Sequence, residues 1–468
     1  MNKVKHDLSL RCIKLVSIVL MTLPVIACWF WYYADRIVIP YYQKGNWAII
    51  ALFAVLYIAF ARIYDAFTIS QYRISEMVYS QGLAALVSDA LLFVVIWLLS
   101  RHFPNPLPGL AALTTQVLFS AVWSAVAHKW YYATFPPKRS AIVFGRRYGI
   151  EKLIREYGLE KKFDILLKVS AESCVRDLSV LNEMDTVFIG GVSSHDRNII
   201  LKHCVAEDIT VYVLPRIGDI IMSGSQKMHM FHLPVLRVDR KELHPEQALA
   251  KRLFDILVSS LILLVASPIM IITAIVIKAT DGGPVFYKQQ RLTKDGKVFN
   301  VLKFRSMRVD AEKDGVARLS TGAKDDRITP VGHVIRKVRI DELPQLLNIL
   351  GGSMSLVGPR PERPEIAQQY EKELPEFKLR LQVKAGLTGY AQVYGKYNTT
   401  PYDKLQMDLM YIANPSFLED LRILFATVKI LFLPESTDGV AEGQTTASGA
   451  EQEQEQEQTD DRVLSEIL

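Results

Sequence analysis

Four long apolar runs fill the first third of this chain, roughly Ile13–Tyr33, Trp47–Tyr64, Leu83–Leu99 and Leu113–Phe135. Each approaches the ~20 residues a helix needs to cross hydrocarbon, and lipid admits only elements whose backbone groups bond internally. The runs therefore predict a four-helix transmembrane domain over residues 1–136, in keeping with a hydrophobic fraction of 50%. Trp29, Trp31, Tyr32 and Tyr33 close the first run, and Trp130, Tyr131 and Tyr132 close the fourth, as interfacial aromatic belts do. Lys3, Lys5, Arg11 and Lys14 form a basic flank at the start of the first run, as in a secretory leader, but its bulky aromatic end and the spans behind it favour an anchor. Arg62, Arg73, Lys138, Arg139, Arg146 and Arg147 join those lysines on one side, so both ends of the bundle are assigned to the cytoplasm. Arg36, Lys44 and Arg101 then stand outside. Asp89 is expected near the cytoplasmic end of its run, where water can solvate it.

Residues 137–246 read as a Rossmann-like α/β domain. SAIVFG, FDILLKVS, DTVFIGG and TVYVLP are short apolar runs, separated by helical stretches such as IEKLIREYG and RNIILKHCVAEDI. Gly145 and Gly149 follow the first run without completing a G-x-G-x-x-G pattern, which leaves dinucleotide binding a weak reading. His195, His203, Cys204, His229 and His232 match no zinc spacing, and the cysteines at 12, 28, 174 and 204 form no disulfide framework.

After Pro434 the chain turns polar and acidic, with ten acids against one basic residue, Arg462, over 435–468. That composition predicts a disordered tail. The whole chain still carries a net charge of +6, so its remainder is more basic than the total suggests. A basic face beside anionic lipid accounts for this; the membrane spans and the absence of recognition motifs argue against nucleic acid.

The richest chemistry lies in Arg336–Glu362, RKVRIDELPQLLNILGGSMSLVGPRPE. Val331, Val334, Ile335 and Val338 recur at helical spacing, which puts Arg336 and Arg339 together on the opposite face. Asp341 stands where an N-cap belongs, with Glu342 beside it and Pro344 tolerable in the first turn. Arg360 is bracketed by Pro359 and Pro361, whose fixed φ angles stiffen the loop. Upstream, Phe299, Val301, Lys303 and Arg305 alternate onto one face of a strand, directing two cations the same way. Downstream, glycines 386, 389 and 395 surround Tyr390 and Lys396 and permit close backbone approach to a ligand. Together these residues describe a polyanion pocket that contains a carboxylate pair.

FDILVSSLILLVASPIMIITAIVIK, GGPVFYKQQR, KFRSM, DELPQLLNIL, MSLVGPRPE, GLTGYAQV and MDLMYIANPSFLEDLRILFATVKI resemble the bacterial sugar transferase family over residues 251–434. The resemblance is to polyprenyl-phosphate glycosyl-1-phosphate transferases in their large form, with an N-terminal membrane domain. It implies that residues 247–434 form a mixed α/β catalytic domain. The implied reaction passes a sugar-1-phosphate from a UDP-sugar to undecaprenyl phosphate, releasing UMP, to initiate exopolysaccharide, capsule or other glycan synthesis. It also implies Mg²⁺ held at Glu342, a covalent intermediate on Asp341, and phosphate contacts from Lys303, Arg305, Arg336, Arg360 and Lys396. A homodimer and polysaccharide-assembly proteins are the further partners considered. Three positions depart from the family pattern: Thr293 where Gly is frequent, Ser353 where Asp is frequent, and Lys396 where Arg is frequent. The alternatives from other classes are a membrane scaffold with an inactive transferase domain and a metal-dependent nucleotide-sugar hydrolase.

Residues 253–278 are long and apolar enough for a fifth span. Spanning would carry the carboxylates outside, away from UDP-sugars. Ser267 and Pro268 stand mid-segment, where proline kinks a helix and a neighbouring hydroxyl can satisfy the freed carbonyl. The resemblance implies the same geometry, a re-entrant helix that returns to the cytoplasmic face of the bacterial membrane.

Overall fold

The computed structural model describes residues 3–70, 72–145, 154, 159–308, 327–395 and 400–431. Its packing divides the chain into two compact units, Met1–Leu214 and Pro215–Leu468.

The first unit opens with helices α1 (Lys3–Cys28), α2 (Lys44–Ile63), α3 (Ile74–Ser100) and α4 (Leu107–Thr134), α1 running on through a π turn over Trp29–Tyr33. All four are long and apolar enough to cross a membrane. Buried aromatics lock the bundle: Trp29 Nε1 donates to Asn46 Oδ1 at 3.0 Å, and Trp123 Nε1 donates to the Ile13 carbonyl at 3.2 Å. One expectation changes here. Helix α3 begins at Ile74, nine residues ahead of the apolar run, so Asp89 lies near the middle of the helix rather than at its end. Its Oδ2 is buried.

An α/β layer follows in the same unit. Strands β1 (Lys138–Phe144), β2 (Phe163–Ser170), β3 (Thr186–Gly190) and β4 (Thr210–Val213) form a parallel sheet in the order β2-β1-β3-β4. The predicted strands are all present. Parallel pairing demands crossovers, and α5 (Ala171–Arg176) and α6 (Ser194–Ala206) supply two of them, each N-capped by a serine hydroxyl, Ser170 and Ser193. Their buried sides, including Cys174, Ile200 and Cys204, pack on Ala141, Val143, Val187 and Ile189. The predicted helix IEKLIREYG falls, apart from Ile154, outside the described residues, as does the acidic tail.

The second unit opens with α7 (Ile217–Ser223) and the hairpin β5 (Gln226–Met230)–β6 (Leu233–Arg237). Ile220 of α7 is buried with Leu405 and Leu409, which groups this helix with the second unit. Then comes α8 (Pro245–Asp281), the fifth helix long and apolar enough to cross a membrane among the described residues. Pro268 has no N–H for the Leu264 carbonyl four residues back. Ser267 Oγ donates to that carbonyl at 2.8 Å. The hydroxyl therefore takes over the bond that the ring removes.

Both halves of α8 pack on the second unit, each on its own cluster. Phe254, Val258, Ile262 and Leu263 lie against the cluster of Leu346, Ile349, Leu356 and Tyr411. Met270, Ala274 and Ile277 lie against Phe304 and Ile335. Between them Leu264 and Val265 are 72% and 71% exposed. The antiparallel pair β7 (Phe286–Leu292) and β8 (Val298–Phe304) comes next, then α9 (Pro330–Lys337), α10 (Gln345–Leu350) and β9 (Ser355–Val357). Helix α11 (Pro364–Glu373), β10 (Gly386–Thr388), α12 (Tyr390–Tyr394), α13 (Pro401–Ala413) and α14 (Phe417–Leu431) complete the unit. β10 pairs parallel with β9. The residue after β9 approaches the first residue of β10 so closely that a Cβ on Gly386 would meet Gly358 N at 2.1 Å, which explains glycine there.

Candidate active site

The acidic pair sits in a break between two short helices. Thr329 caps α9, its hydroxyl accepting the Gly332 N–H at 2.9 Å. The helix ends at Lys337, and Arg339 turns into the left-handed region at φ 54°. A 3₁₀ turn over Ile340–Glu342 follows, and α10 starts only at Gln345. Asp341 is therefore not a helix N-cap, and Arg336 and Arg339 do not share a helix face. Arg339 at positive φ stands outside α9, so no further turn aligns the two. What the kink achieves is the placement of two successive carboxylates on one tight turn.

Basic residues from three segments converge on Glu342. Arg360 NH2 donates to its Oε1 at 2.8 Å, Lys303 Nζ lies 3.3 Å from the same oxygen, and Arg339 NH1 lies 3.9 Å from Oε2. Lys303 reaches the pair because it shares a strand face with Val301, which is 1% exposed in the core below. Burial opposes ionisation of Glu342, but Arg360, Lys303 and Arg339 outweigh it and hold its carboxyl well below the usual range. Asp341 behaves oppositely. Burial, and then the Glu342 charge, raise its carboxyl to about 6, with Lys303, Arg336 and Arg360 opposing the shift. Adjacent carboxylates are thus split into one fixed anion and one readily protonated oxygen base.

Of the basic residues singled out in the sequence, Lys303 and Arg360 contact Glu342, and they and Arg336 act on Asp341 through their charge. Arg305 lies just past β8, is 7% exposed and packs against Gly283, where a Cβ would fall 1.9 Å from its NH1. Lys396 lies outside the described residues. Two of the three departing positions meet: Thr293 Oγ1 donates to the Ser353 carbonyl at 2.9 Å and accepts the Ala385 N–H at 3.1 Å.

Sequence reasoning missed the residues that hold the Arg360 loop. Arg380 NH2 donates to the Arg360 carbonyl at 2.9 Å and lies 2.7 Å from Asp408 Oδ2, with side chains 4% and 1% exposed. Arg291 NH1 donates to the Pro361 carbonyl at 3.0 Å, and both arginines lie within ion-pair distance of Glu362. Burial raises the Asp408 carboxyl to about 6 against the pull of Arg380. Arg291 and Asp408 stand inside quoted motifs, QQR and MDLMYIANP, but Arg380 stands in no motif and shows itself only by contact.

Among the described residues no group of three or more His, Cys, Asp or Glu side chains converges as a metal cage. The donors at the site are two hard carboxylates. That suits Mg²⁺, which binds through one or two carboxylates and completes its shell with water and substrate phosphate.

A model of the family described as bacterial sugar transferase matches residues 246–434. The chain is 38% identical over 234 residues to a UDP-N-acetylgalactosamine-undecaprenyl-phosphate N-acetylgalactosaminephosphotransferase of Aeromonas hydrophila, covering 49% of this chain and 54% of that protein. It is 37% identical over 255 residues to a UDP-glucose:undecaprenyl-phosphate glucose-1-phosphate transferase of Klebsiella pneumoniae, covering 52% and 54%. The exopolysaccharide production protein PSS of Rhizobium leguminosarum bv. phaseoli is 42% identical over 187 residues, covering 38% of this chain and 92% of that protein. The chain thus spans about half the length of the first two relatives.

Proposed function

The chain belongs to the bacterial sugar transferase family, and from that premise we propose that it transfers a sugar-1-phosphate from a UDP-sugar to undecaprenyl phosphate, releasing UMP. The observation that carries this reading is the convergence of Lys303 and Arg360, from segments far apart in sequence, on the carboxylate next to Asp341. Donor and acceptor are both anionic. Two unit charges ~4 Å apart repel by about 4 kcal/mol at an effective dielectric near 20, so a carboxylate nucleophile needs cationic surroundings.

An Asp341 oxygen attacks the sugar-bearing phosphorus of the donor. The anhydride bond breaks, and UMP leaves with the bridging oxygen. A phosphate oxygen of the lipid then attacks the same phosphorus and expels Asp341 as a carboxylate, leaving a lipid diphosphate-sugar. Splitting the transfer lets the two anions use the pocket in turn. Lys303, Arg336 and Arg360 hold the phosphoryl oxygens, with Arg360 suited to a two-pronged contact. Glu342, with Asp341 beside it, would hold Mg²⁺, which when bound neutralises charge developing on the phosphates. Arg305 and Lys396 are assigned to phosphate by family position alone.

The same reading places α1–α4 in the bacterial cytoplasmic membrane and the site on its cytoplasmic face. Residues 253–278 of α8 then enter and return around Ser267 and Pro268. Packing of both halves of α8 on the unit that carries the site, with an exposed apolar stretch between them, supports a return to the same face. The name of the Rhizobium relative points to exopolysaccharide production as the pathway class. The test is UMP release by the purified protein with Mg²⁺ across a panel of UDP-sugars, with and without undecaprenyl phosphate. Lipid-dependent turnover with one donor, lost in Asp341→Ala, supports the transferase and identifies its sugar. UMP formation indifferent to lipid, with free sugar-1-phosphate, points to a hydrolase; none at all from reconstituted protein points to the scaffold.

A further inference from the structure

Three ionic side chains in the first third of α8 grip the segments around the site. Arg252 donates through NH1 to the Ile349 carbonyl at 2.6 Å and through NH2 to the Leu350 carbonyl at 2.7 Å. Those are the last carbonyls of α10, where a cation both fills open acceptors and meets the negative end of the helix. The same short helix begins three residues after Glu342. Asp255, 4% exposed, accepts the Leu356 N–H at 3.1 Å in β9, four residues before Arg360. Lys251 Nζ bonds Asp420 Oδ2 at 2.5 Å and Tyr411 OH at 3.2 Å, and Tyr411 OH donates to Asp420 Oδ1 at 2.8 Å. Positions 251, 252 and 255 fall on the flank of α8 that also packs Phe254 and Val258 onto the core.

We infer that Lys251, Arg252 and Asp255 are positioning residues that tie the membrane-embedded helix to the elements around the site, Arg252 to α10, Asp255 to β9 and Lys251 to α13 and α14, fixing the height of Asp341 and Arg360 relative to the bilayer. The inference rests on the lipid-dependent transfer proposed above. The nucleotide donor arrives from water and finds the site wherever it stands. The lipid phosphate sits at one depth, so only the second half of the reaction depends on this height. A displacement of about 1 Å from an in-line geometry can cost on the order of a hundredfold in rate. Arg252 binds carbonyls rather than substrate, so it acts through α10 and not on the reacting atoms.

The test uses the full chain in phosphatidylethanolamine–phosphatidylglycerol vesicles, comparing wild type with Arg252→Met, Arg252→Lys and Lys251→Met. Two readouts are taken: the UMP burst without lipid acceptor against kcat/KM for undecaprenyl phosphate, and the depth of a nitroxide at Leu347→Cys in a chain without its native cysteines. Arg252→Met should leave the burst within about twofold and lower kcat/KM for the lipid about tenfold or more, with a broadened label depth. Arg252→Lys should fall between, since an ammonium can still cap one carbonyl. Equal loss in both half-reactions with a falling thermal midpoint, or no loss in either, overturns the inference. If Arg252→Met does not fold, Lys251→Met decides by the same criteria. If wild type releases no UMP from any donor, the transferase reading fails, and an unchanged label depth in Arg252→Met then overturns the clamp separately.

Discussion

Arg360 NH2 donates to Glu342 Oε1 at 2.8 Å, so a loop stiffened by Pro359 and Pro361 ends on the carboxylate beside Asp341. A lysine there would keep the charge and lose the planar fork. Arg360→Lys should therefore lower kcat/KM for the UDP-sugar by roughly 10- to 100-fold, and Lys303→Met by a similar factor. Initial rates of UMP release measure both; a change below about twofold in either would remove that residue from donor binding.

Asp341→Asn preserves shape and removes the nucleophile. UMP release should fall by about 10³-fold or more, and the sugar-phosphate adduct seen by intact-mass analysis of acid-quenched wild type should vanish. Chelating Mg²⁺ should stop UMP release in wild type, with recovery on adding Mg²⁺ back. An adduct that survives in Asp341→Asn would move the covalent step elsewhere.

Because burial and Glu342 raise the Asp341 carboxyl to about 6, its reactive anion is lost as pH falls through that value. About nine-tenths is ionised at pH 7 and about one-tenth at pH 5, so the burst rate should drop close to tenfold over that interval. Raising Mg²⁺ should shift the limb to lower pH, since a nearby cation favours the carboxylate. The sign for stability is opposite to that for activity. A raised carboxyl disfavours the fold above its folded value, and the penalty disappears once pH falls below the unfolded value near 4. A flat burst rate from pH 5 to 7 would place the nucleophile's titration outside this range.

Arg380 and Asp408 are 4% and 1% exposed and 2.7 Å apart. Truncating one partner strands the other, so Arg380→Met should destabilise by about 3–5 kcal/mol. The Arg380→Met/Asp408→Leu double variant should recover part of that loss in thermal midpoint, because neither member of the pair is left buried without the other. Activity should not recover with it, since the Arg360 carbonyl still lacks its Arg380 contact. Recovery of both would make the pair purely structural.

Much of this was visible in residue order. The four apolar runs became α1–α4, and SAIVFG, FDILLKVS, DTVFIGG and TVYVLP became the parallel strands, because hydrophobic length and period are local properties. Ser267 before Pro268 predicted a hydroxyl bond to the freed carbonyl, since the donor and that carbonyl lie within one helical turn. Where local pattern met a break, the expectation failed. The N-cap geometry assigned to Asp341 gave way to a 3₁₀ turn behind Arg339 at φ 54°, a conformation no side-chain period announces.

Composition, run lengths and the order of short motifs were enough to specify a membrane-anchored chain with an acidic pair among basic residues. They could not say that Lys303 and Arg360 share one oxygen of Glu342, that Arg305 packs under Gly283 instead, or that Arg380 holds the Arg360 loop from behind. Each of those relations joins residues separated along the chain. Their distances are decided by how β7, β8 and α13 pack on a shared core, and no local periodicity encodes that packing.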